Sequence, residues 1–191
     1  MPNDSDSSRE ILLLLRIKDD DQSAFEELYH LYKIPLGNFF YRLSNNRNIA
    51  EDCLQEVFYR IWSARASYQP RAKVITYLFR IAKNYWINEG TRLKKKPVPF
   101  TSLSEQEVIS NQHNHQPNPD DEALSNELKE EINSAINRLP EDERLVLVMS
   151  QYQELKYAEI AEILDIAEIT VKTRMAKALE RLKESLSKYL Q

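Results

Sequence analysis

Apolar residues recur at intervals of three and four along most of this chain, which is the period of an amphipathic helix. These patterns predict a first helix that begins near Glu10 and a second that follows Asp19–Asp21, with its apolar face over residues 24–43. They also predict helices over residues 49–63, 73–95 and 122–137, and a further helix that opens at Pro140. The breaks between them are polar and rich in residues that reverse the chain. The carboxylates of Asp19–Asp21 suit a helix N-terminus, and Asn48 followed by Glu51 resembles a capping box.

The last third of the chain has the pattern of a helix, a three-residue turn and a second helix, predicted over 157–164 and from Glu168 onward. The apolar residues that would pack the two helices together are Ile160, Ala161, Leu164, Ile166, Val171, Met175 and Leu179. The polar residues left outside are Thr170, Lys172, Thr173, Arg174 and Lys177. A helix presented in this way fits a DNA major groove, where Arg174 can bind guanine and the lysines can hold phosphates.

The amino-acid composition limits the fold class and the kinds of binding site that this chain can form. Only Gly37 and Gly90 are glycines, so the chain lacks the clustered glycines of phosphate-binding loops and the turn residues of tight hairpins. The fold class predicted is therefore all-α. A single cysteine, Cys53, excludes an internal disulfide and zinc sites built on paired cysteines. The three histidines form no metal-ligand pattern, so neither a metal nor another cofactor is expected.

The net charge of −4 hides a basic block within an acidic chain. Residues 71–96 carry eight basic and one acidic side chain, whereas residues 97–125 carry no basic and five acidic ones. Residues 167–191 are again basic, with six basic and three acidic groups. Both basic zones can face phosphates. No apolar run reaches the ~20 residues of a membrane span, and the N-terminus is acidic, so a cytoplasmic protein without membrane insertion is expected.

These patterns divide the chain into four parts. Residues 1–8 are small and polar and are predicted to be disordered. Residues 9–96 form a first helical domain, and residues 122–191 form a second one that contains the helix-turn-helix. Between them, residues 97–121 are acidic, contain four prolines and lack an apolar period, which predicts a flexible linker.

The predicted helix over 49–63 has a polar face opposite its apolar one. This stripe consists of Asp52, Gln55, Glu56 and Tyr59. Its carboxylates can meet basic side chains on another protein, although a simply solvated face would look the same.

The basic block combines cations with amides and aromatic residues. Its candidate nucleic-acid contacts are Arg80, Lys83, Asn84, Asn88 and Arg92, with Tyr68, Gln69 and Arg71 in the preceding loop. Basic groups hold phosphates, while amides and aromatic rings can bind or stack on unpaired bases, which favours opened DNA. The alternative is that Tyr85 and Trp86 belong to the core and the lysines merely solubilise the helix end.

Three segments in this order, Asn48–Trp62, Thr76–Lys96 and Leu139–Arg181, resemble the extracytoplasmic-function group of RNA polymerase sigma factors. Residues 50–58, AEDCLQEVF, look like the family's polymerase-binding signature, and residues 77–84, YLFRIAKN, look like its promoter-melting segment. The resemblance implies that the polar stripe docks on core RNA polymerase and that the basic helix and its loop capture the minus-ten element with one base flipped out. It also implies that the C-terminal helix reads the minus-thirty-five element and that an anti-sigma factor binds the protein.

Three positions depart from the family's pattern. Asp165 stands where glycine is frequent, Ala167 where a capping serine or threonine is common, and Asn88 where aspartate is frequent. The loss of a cap would cost the C-terminal helix about 1 kcal/mol.

Two other classes of function remain as alternatives. A polymerase-independent regulator would bind duplex DNA as a dimer through the same helix-turn-helix, but it has no reason to carry the Asp52–Tyr59 stripe. A helical enzyme would need a nucleophile with its base, a metal-ligand cluster or a phosphate loop, and the sequence shows none of these. The prediction is a sigma factor without catalytic chemistry, whose partners are core RNA polymerase and promoter DNA.

Overall fold

Regular structure in this chain is helical throughout the part that the computed structural model describes, residues 4–93 and 119–189. The α-helices are α1 (Asp4–Lys18), α2 (Gln22–Ser44), α3 (Arg47–Ser63), α4 (Val74–Leu93), α5 (Pro119–Arg138), α6 (Glu141–Gln151), α7 (Tyr157–Leu164) and α8 (Glu168–Ser185). Short 3₁₀ turns follow α3 at Arg65–Ser67 and α8 at Ser187–Tyr189. The prediction of an all-helical chain with a helix-turn-helix is confirmed.

The N-terminal half, α1–α4, packs around the apolar face of α2. Leu28, Leu36, Phe39 and Phe40 on this helix have no exposed surface, and Phe39 meets Phe79 of α4 edge to face. This close packing holds α3 and α4 as rigid supports, so each presents its remaining face outward.

Helix starts in this half differ in detail from the sequence expectations. Asp21 caps α2 by accepting a hydrogen bond from the Ala24 N–H, as the acidic cluster predicts. Helix α3, however, begins at Arg47, two residues earlier than expected. Its N-cap is Asn46 rather than Asn48, because the Asn46 side chain accepts the hydrogen bond from the Ile49 N–H. Helix α1 begins at Asp4, so residues 4–8, expected to be disordered, form its first turns.

The C-terminal half, α5–α8, contains the helix-turn-helix of α7 and α8. Asp165 ends α7 in the left-handed conformation at φ 57°, which aspartate tolerates better than most residues. Ala167 precedes α8 without a side-chain cap. The core expectation was wrong at Leu179, which is half exposed, whereas Ile163 and Ala178 are buried.

The two halves lie against each other. Trp86 of α4 donates its indole N–H to Glu141 of α6, and Arg42 of α2 bonds to Asn133 and stacks over the Tyr152 ring. Buried residues of both halves form one continuous cluster, and α4 packs directly on α7. Of the expected linker, residues 97–118 lie outside the described residues, and residues 119–121 belong to α5.

Candidate nucleic-acid interface

The outer surface of α4 carries its cations against the carboxylates of α7. Lys73, which precedes α4, approaches Glu159 with 2.7 Å between Nζ and Oε1. Arg80 donates to the backbone carbonyl of Glu162 at 2.9 Å and lies 3.7 Å from its carboxylate. Two of the cations in the basic block are therefore already occupied by the helix-turn-helix.

The electrostatics of this contact extend along α4. Burial and the neighbouring Arg80 lower the pKa of Lys83, while Asp165 acts in the opposite direction. Burial raises the pKa of Glu159, but the hydrogen bonds from Lys73 and from the Lys156 N–H outweigh it and lower the pKa below its usual value. Glu159 therefore remains ionised in this contact, where its carboxylate also accepts a hydrogen bond from the Lys156 N–H at the start of α7.

A cavity of about 290 Å³ opens between the loop before α4 and the first turns of that helix. It is lined by the side chains around Gln69, Arg71, Tyr77 and Arg80. Gln69 and Arg71 are exposed and hydrogen-bonded to each other at 2.6 Å, so both can turn towards a ligand. The volume lies near the lower end of small-ligand pockets and suits one planar base.

Tyr68 forms the floor of this cavity. Its side chain is only 4% exposed, packs edge to face on Tyr77, and its hydroxyl has no hydrogen-bond partner among the described residues. Lys18 of α1 donates a hydrogen bond to the Tyr68 carbonyl at 3.1 Å and so holds the loop against α1. Of the three loop candidates, Gln69 and Arg71 are thus accessible, whereas Tyr68 supports them.

The remaining α4 candidates separate into inner and outer residues. Asn84 and Asn88 are exposed on the outer face. Tyr85 and Trp86 are buried, so the alternative reading that places these aromatic residues in the core is correct. Arg92 belongs to the last turn of α4, and its side chain lies outside the described residues.

The outer face of α8 brings together three of its five predicted contacts. Lys172, Thr173 and Lys177 are exposed on it. Lys172 pairs with Glu168 at 2.8 Å, whereas Lys177 has no ion-pair partner among the described residues. Thr170 is half buried.

Arg174 stands apart from this face. It is half buried and turns back towards α6, where its guanidinium lies 3.2 Å from the carboxylate of Asp142. To bind guanine, Arg174 would have to leave Asp142. Sequence reasoning missed this partner because it lies 32 positions earlier in the chain.

Sequence reasoning also missed Ile169, which lies in the first turn of α8 and is 69% exposed. The signal was present in the spacing, because Ile169 precedes Thr173 by one helical turn and Lys177 by two. The expected DNA contacts on α8 were all polar side chains, so this apolar residue of the same face was not among them.

The polar stripe of α3 lies where the sequence places it. Asp52, Gln55 and Tyr59 are exposed, with Tyr59 66% accessible, and Glu56 is partly exposed and pairs with Arg60 at 2.7 Å. On the opposite side of the same helix, Cys53 and Val57 are fully buried. A rigid helix thus holds two carboxylates, an amide and a phenol in one row.

Neither a metal-binding cluster nor a membrane-spanning helix is found among the described residues. Its histidine, cysteine and acidic residues form no cluster of three or more that can hold a metal ion. Within the same residues, no helix has the length and apolar character needed to cross a membrane.

Comparison with known proteins identifies two family segments. The Sigma-70 region 2 family matches residues 28–96, and the Sigma-70, region 4 family matches residues 129–182. The ECF RNA polymerase sigma factor SigW of Bacillus subtilis (strain 168) is 33% identical over 181 residues, which span 90% of this chain and 93% of that protein. The first segment contains the α3 stripe and all of α4, and the second contains α7 and most of α8.

Solved structures show the same fold. The structure of CnrH in complex with the cytosolic domain of CnrY aligns with a TM-score of 0.69 at 19% identity, covering 92% of this chain and 96% of that one. The sigma factor RpoE from Bartonella quintana, solved with the anti-sigma factor NepR, aligns with a TM-score of 0.62 at 20% identity, covering 85% and 96%.

Proposed function

Because this chain belongs to the extracytoplasmic-function group of RNA polymerase sigma factors, we propose that its three exposed faces divide the work of transcription initiation. As a sigma factor, the protein binds core RNA polymerase and directs it to promoter DNA. The observation that carries this function is the presence of both sigma regions, in order, in one chain that matches a curated sigma factor over nearly its whole length. The polymerase-independent dimeric regulator is not favoured.

The polar stripe on α3 is the polymerase-docking face. Asp52, Gln55, Glu56 and Tyr59 stand in a row on a helix whose other side is locked in the core. Docking on such a face needs no rearrangement of the backbone, which limits the entropy lost on binding. Tyr59 suits the centre of this contact because a largely exposed aromatic ring buries much surface when covered.

The outer face of α4 and the cavity beside it bind the minus-ten element. Arg80 and Lys83 hold phosphates, Asn84 and Asn88 offer amides to unpaired bases, and Arg92 extends the charge along the helix. The cavity beside Gln69 and Arg71 receives a flipped base, with Tyr68 as its floor. The amide of Gln69 and the guanidinium of Arg71 can both hydrogen-bond to the edge of such a base.

Helix α8 reads the duplex minus-thirty-five element in the major groove. Thr173 faces the bases, Lys172 and Lys177 hold phosphates, and Thr170 and Arg174 approach the DNA from one side of the helix. Because Arg174 is paired with Asp142, its contact with DNA requires that pair to open. The first contacts therefore come from the exposed residues.

The chain is organised as two domains that act through polymerase. Residues 9–96 form the domain that binds polymerase and the minus-ten element. Residues 97–121, of which the last three open α5, form the linker, and residues 122–191 form the minus-thirty-five domain. Joining two weak DNA contacts on one polymerase raises their combined affinity through effective concentration. The protein acts in the cytoplasm, has no catalytic chemistry of its own, and is held inactive by an anti-sigma factor of the kind seen with RpoE.

A capture experiment with core RNA polymerase tests the docking face. The charge-reversal variant Asp52→Lys with Glu56→Lys is expected to lose capture that the wild-type chain shows, since both carboxylates project from the α3 stripe. The matched control is Glu180→Lys with Glu184→Lys, which has the same spacing and the same charge change on exposed positions of α8. Circular dichroism confirms that each variant stays helical. Equal capture by the wild-type chain and both variants would remove the α3 stripe from the proposal.

A further inference from the structure

Ile169 is the most exposed large apolar side chain among the described residues, at 69%. It lies in the first turn of α8, opposite Val171 and Met175, which face the core. Helix α8 therefore does not need Ile169 for packing within the half that contains it. A β-branched apolar residue lowers helix propensity slightly, and the exposed aliphatic groups of Ile169 are available for a contact outside the chain.

The neighbours of Ile169 extend this apolar surface along α8. Thr173 and Ala176 follow at helical spacing on the same exposed face. The Thr173 hydroxyl donates to the Ile169 carbonyl at 2.9 Å, so its proton is used within the helix. Ile169, Thr173 and Ala176 form a row of aliphatic groups, which we term the methyl strip, and Lys172 and Lys177 flank it.

The major groove of DNA presents one apolar group, the C5-methyl of thymine. Residues at the N-terminal end of a recognition helix contact base edges, which is where Ile169 lies. The flanking lysines can fix the helix on phosphates and bring the strip against the bases. The charge of Glu168, which would repel a phosphate nearby, is partly compensated by Lys172 at 2.8 Å.

We propose that Ile169 is a specificity-determining residue that reads the C5-methyl group of a thymine in the duplex promoter element, with Thr173 and Ala176 completing the apolar contact. This rests on the proposed role of α8 in the major groove. The chain then selects an A·T pair at that position through an apolar contact rather than through a hydrogen bond. Replacing this thymine by cytosine removes the C5-methyl group that the methyl strip contacts and is therefore disfavoured.

Replacement of thymine by deoxyuridine tests the contact directly, because it removes the methyl group and leaves the base-pairing groups unchanged. The full chain, bound to core RNA polymerase, first selects duplexes from a randomised pool. Each thymine of a selected duplex is then replaced singly. For the wild-type chain, one replacement is expected to weaken binding about fourfold, the change that accompanies loss of one buried CH₂-sized group.

Two variants complete the test. Ile169→Ser is expected to bind the thymine and deoxyuridine duplexes equally, whereas Leu179→Ser, which changes another exposed apolar residue of α8, keeps the fourfold difference. Selected duplexes without thymine, no effect of deoxyuridine on the wild-type chain, or a fourfold effect that persists in Ile169→Ser would each overturn the proposal while duplex recognition stands. If the wild-type complex selects no duplex at all, the proposed role of α8 fails, and the contact fails with it.

Discussion

Helices α4 and α8 both carry clustered cations, yet those cations have different partners. Lys73 and Arg80 beside and on α4 meet carboxylates of α7, which come from the other half of the chain. On α8, Lys172 pairs within its own helix and Lys177 has no ion-pair partner among the described residues. A charge count along the sequence gives the sign of each surface but does not show whether that surface is available.

The difference also links the two surfaces that we propose to bind DNA. Helix α7 supports α8 in the helix-turn-helix and at the same time covers part of α4. For Arg80 to reach a phosphate, α7 must release it. Exposed ion pairs of this kind typically contribute about 0.2–1 kcal/mol each, so these two pairs add only a small part to the apolar packing that joins α4 and α7.

The largest expected effect is a loss of stability when a buried side chain on the inner face of α4 is truncated. Trp86 is 2% exposed and its indole N–H bonds to Glu141, so Trp86→Ala is expected to lower the free energy of unfolding by about 3–5 kcal/mol. Trp86→Phe keeps most of the packing and serves as a matched control with a smaller loss. Chemical denaturation measures both. A stable Trp86→Ala protein that has lost binding to opened DNA would place Trp86 on the nucleic-acid surface instead.

The next largest effect is expected when the two α7 carboxylates that pair with Lys73 and Arg80 are neutralised. Glu159→Gln with Glu162→Gln is expected to raise the affinity of the free chain for single-stranded promoter DNA by about three- to tenfold, because two weak ion pairs no longer compete. Glutamine at 159 can still cap α7. Fluorescence anisotropy with a labelled oligonucleotide measures the change.

The control for that experiment is Asp52→Asn with Glu56→Gln, which alters net charge equally but lies on α3. If this control raises DNA affinity as much as the α7 variant, the effect is one of overall charge. The comparison between covered and open cations would then have no functional meaning.

A smaller effect is expected at the start of α8. Ala167 provides no side-chain cap, so Ala167→Ser is expected to stabilise the protein by about 1 kcal/mol. The increase should appear as a higher midpoint in thermal unfolding followed by circular dichroism. Ala176→Ser introduces the same side chain in the middle of the helix and should give no increase. If both variants have the same unfolding midpoint, the backbone N–H groups in the first turn of α8 already have other hydrogen-bond partners.

Local features of this molecule could be read from the sequence with good accuracy. Helix periodicity located the helix-turn-helix, and Asp165 adopts the left-handed conformation expected of a turn residue. The exposed stripe on α3 also follows from spacing alone, because the opposite face is apolar. These features depend on residues within one or two turns of each other.

Features that depend on distant residues could not be predicted. The pairing of Arg174 with Asp142 and the cover of Arg80 by Glu162 join segments far apart in sequence. Leu179 was expected in the core because it continues the apolar period, yet Ala178 takes the buried position. The choice of Asn46 over Asn48 as the cap of α3 depends on backbone geometry that composition does not specify.

The smallest effect is expected at Lys172 and Lys177 of α8, which differ in their ion pairing. Lys177→Ala should weaken duplex binding in the polymerase complex and reduce the slope of log affinity against log salt by about 1, because one phosphate contact is lost. Lys172→Ala should reduce that slope less, since Lys172 is already paired with Glu168 and releases fewer counterions on binding. Titrations at several salt concentrations measure both slopes. If Lys172→Ala and Lys177→Ala change the slope equally, the ion pair with Glu168 does not limit the contact of Lys172 with phosphate. The contribution of a lysine on α8 would then be set by its position in the DNA groove, and not by its ion-pair partner in the free chain.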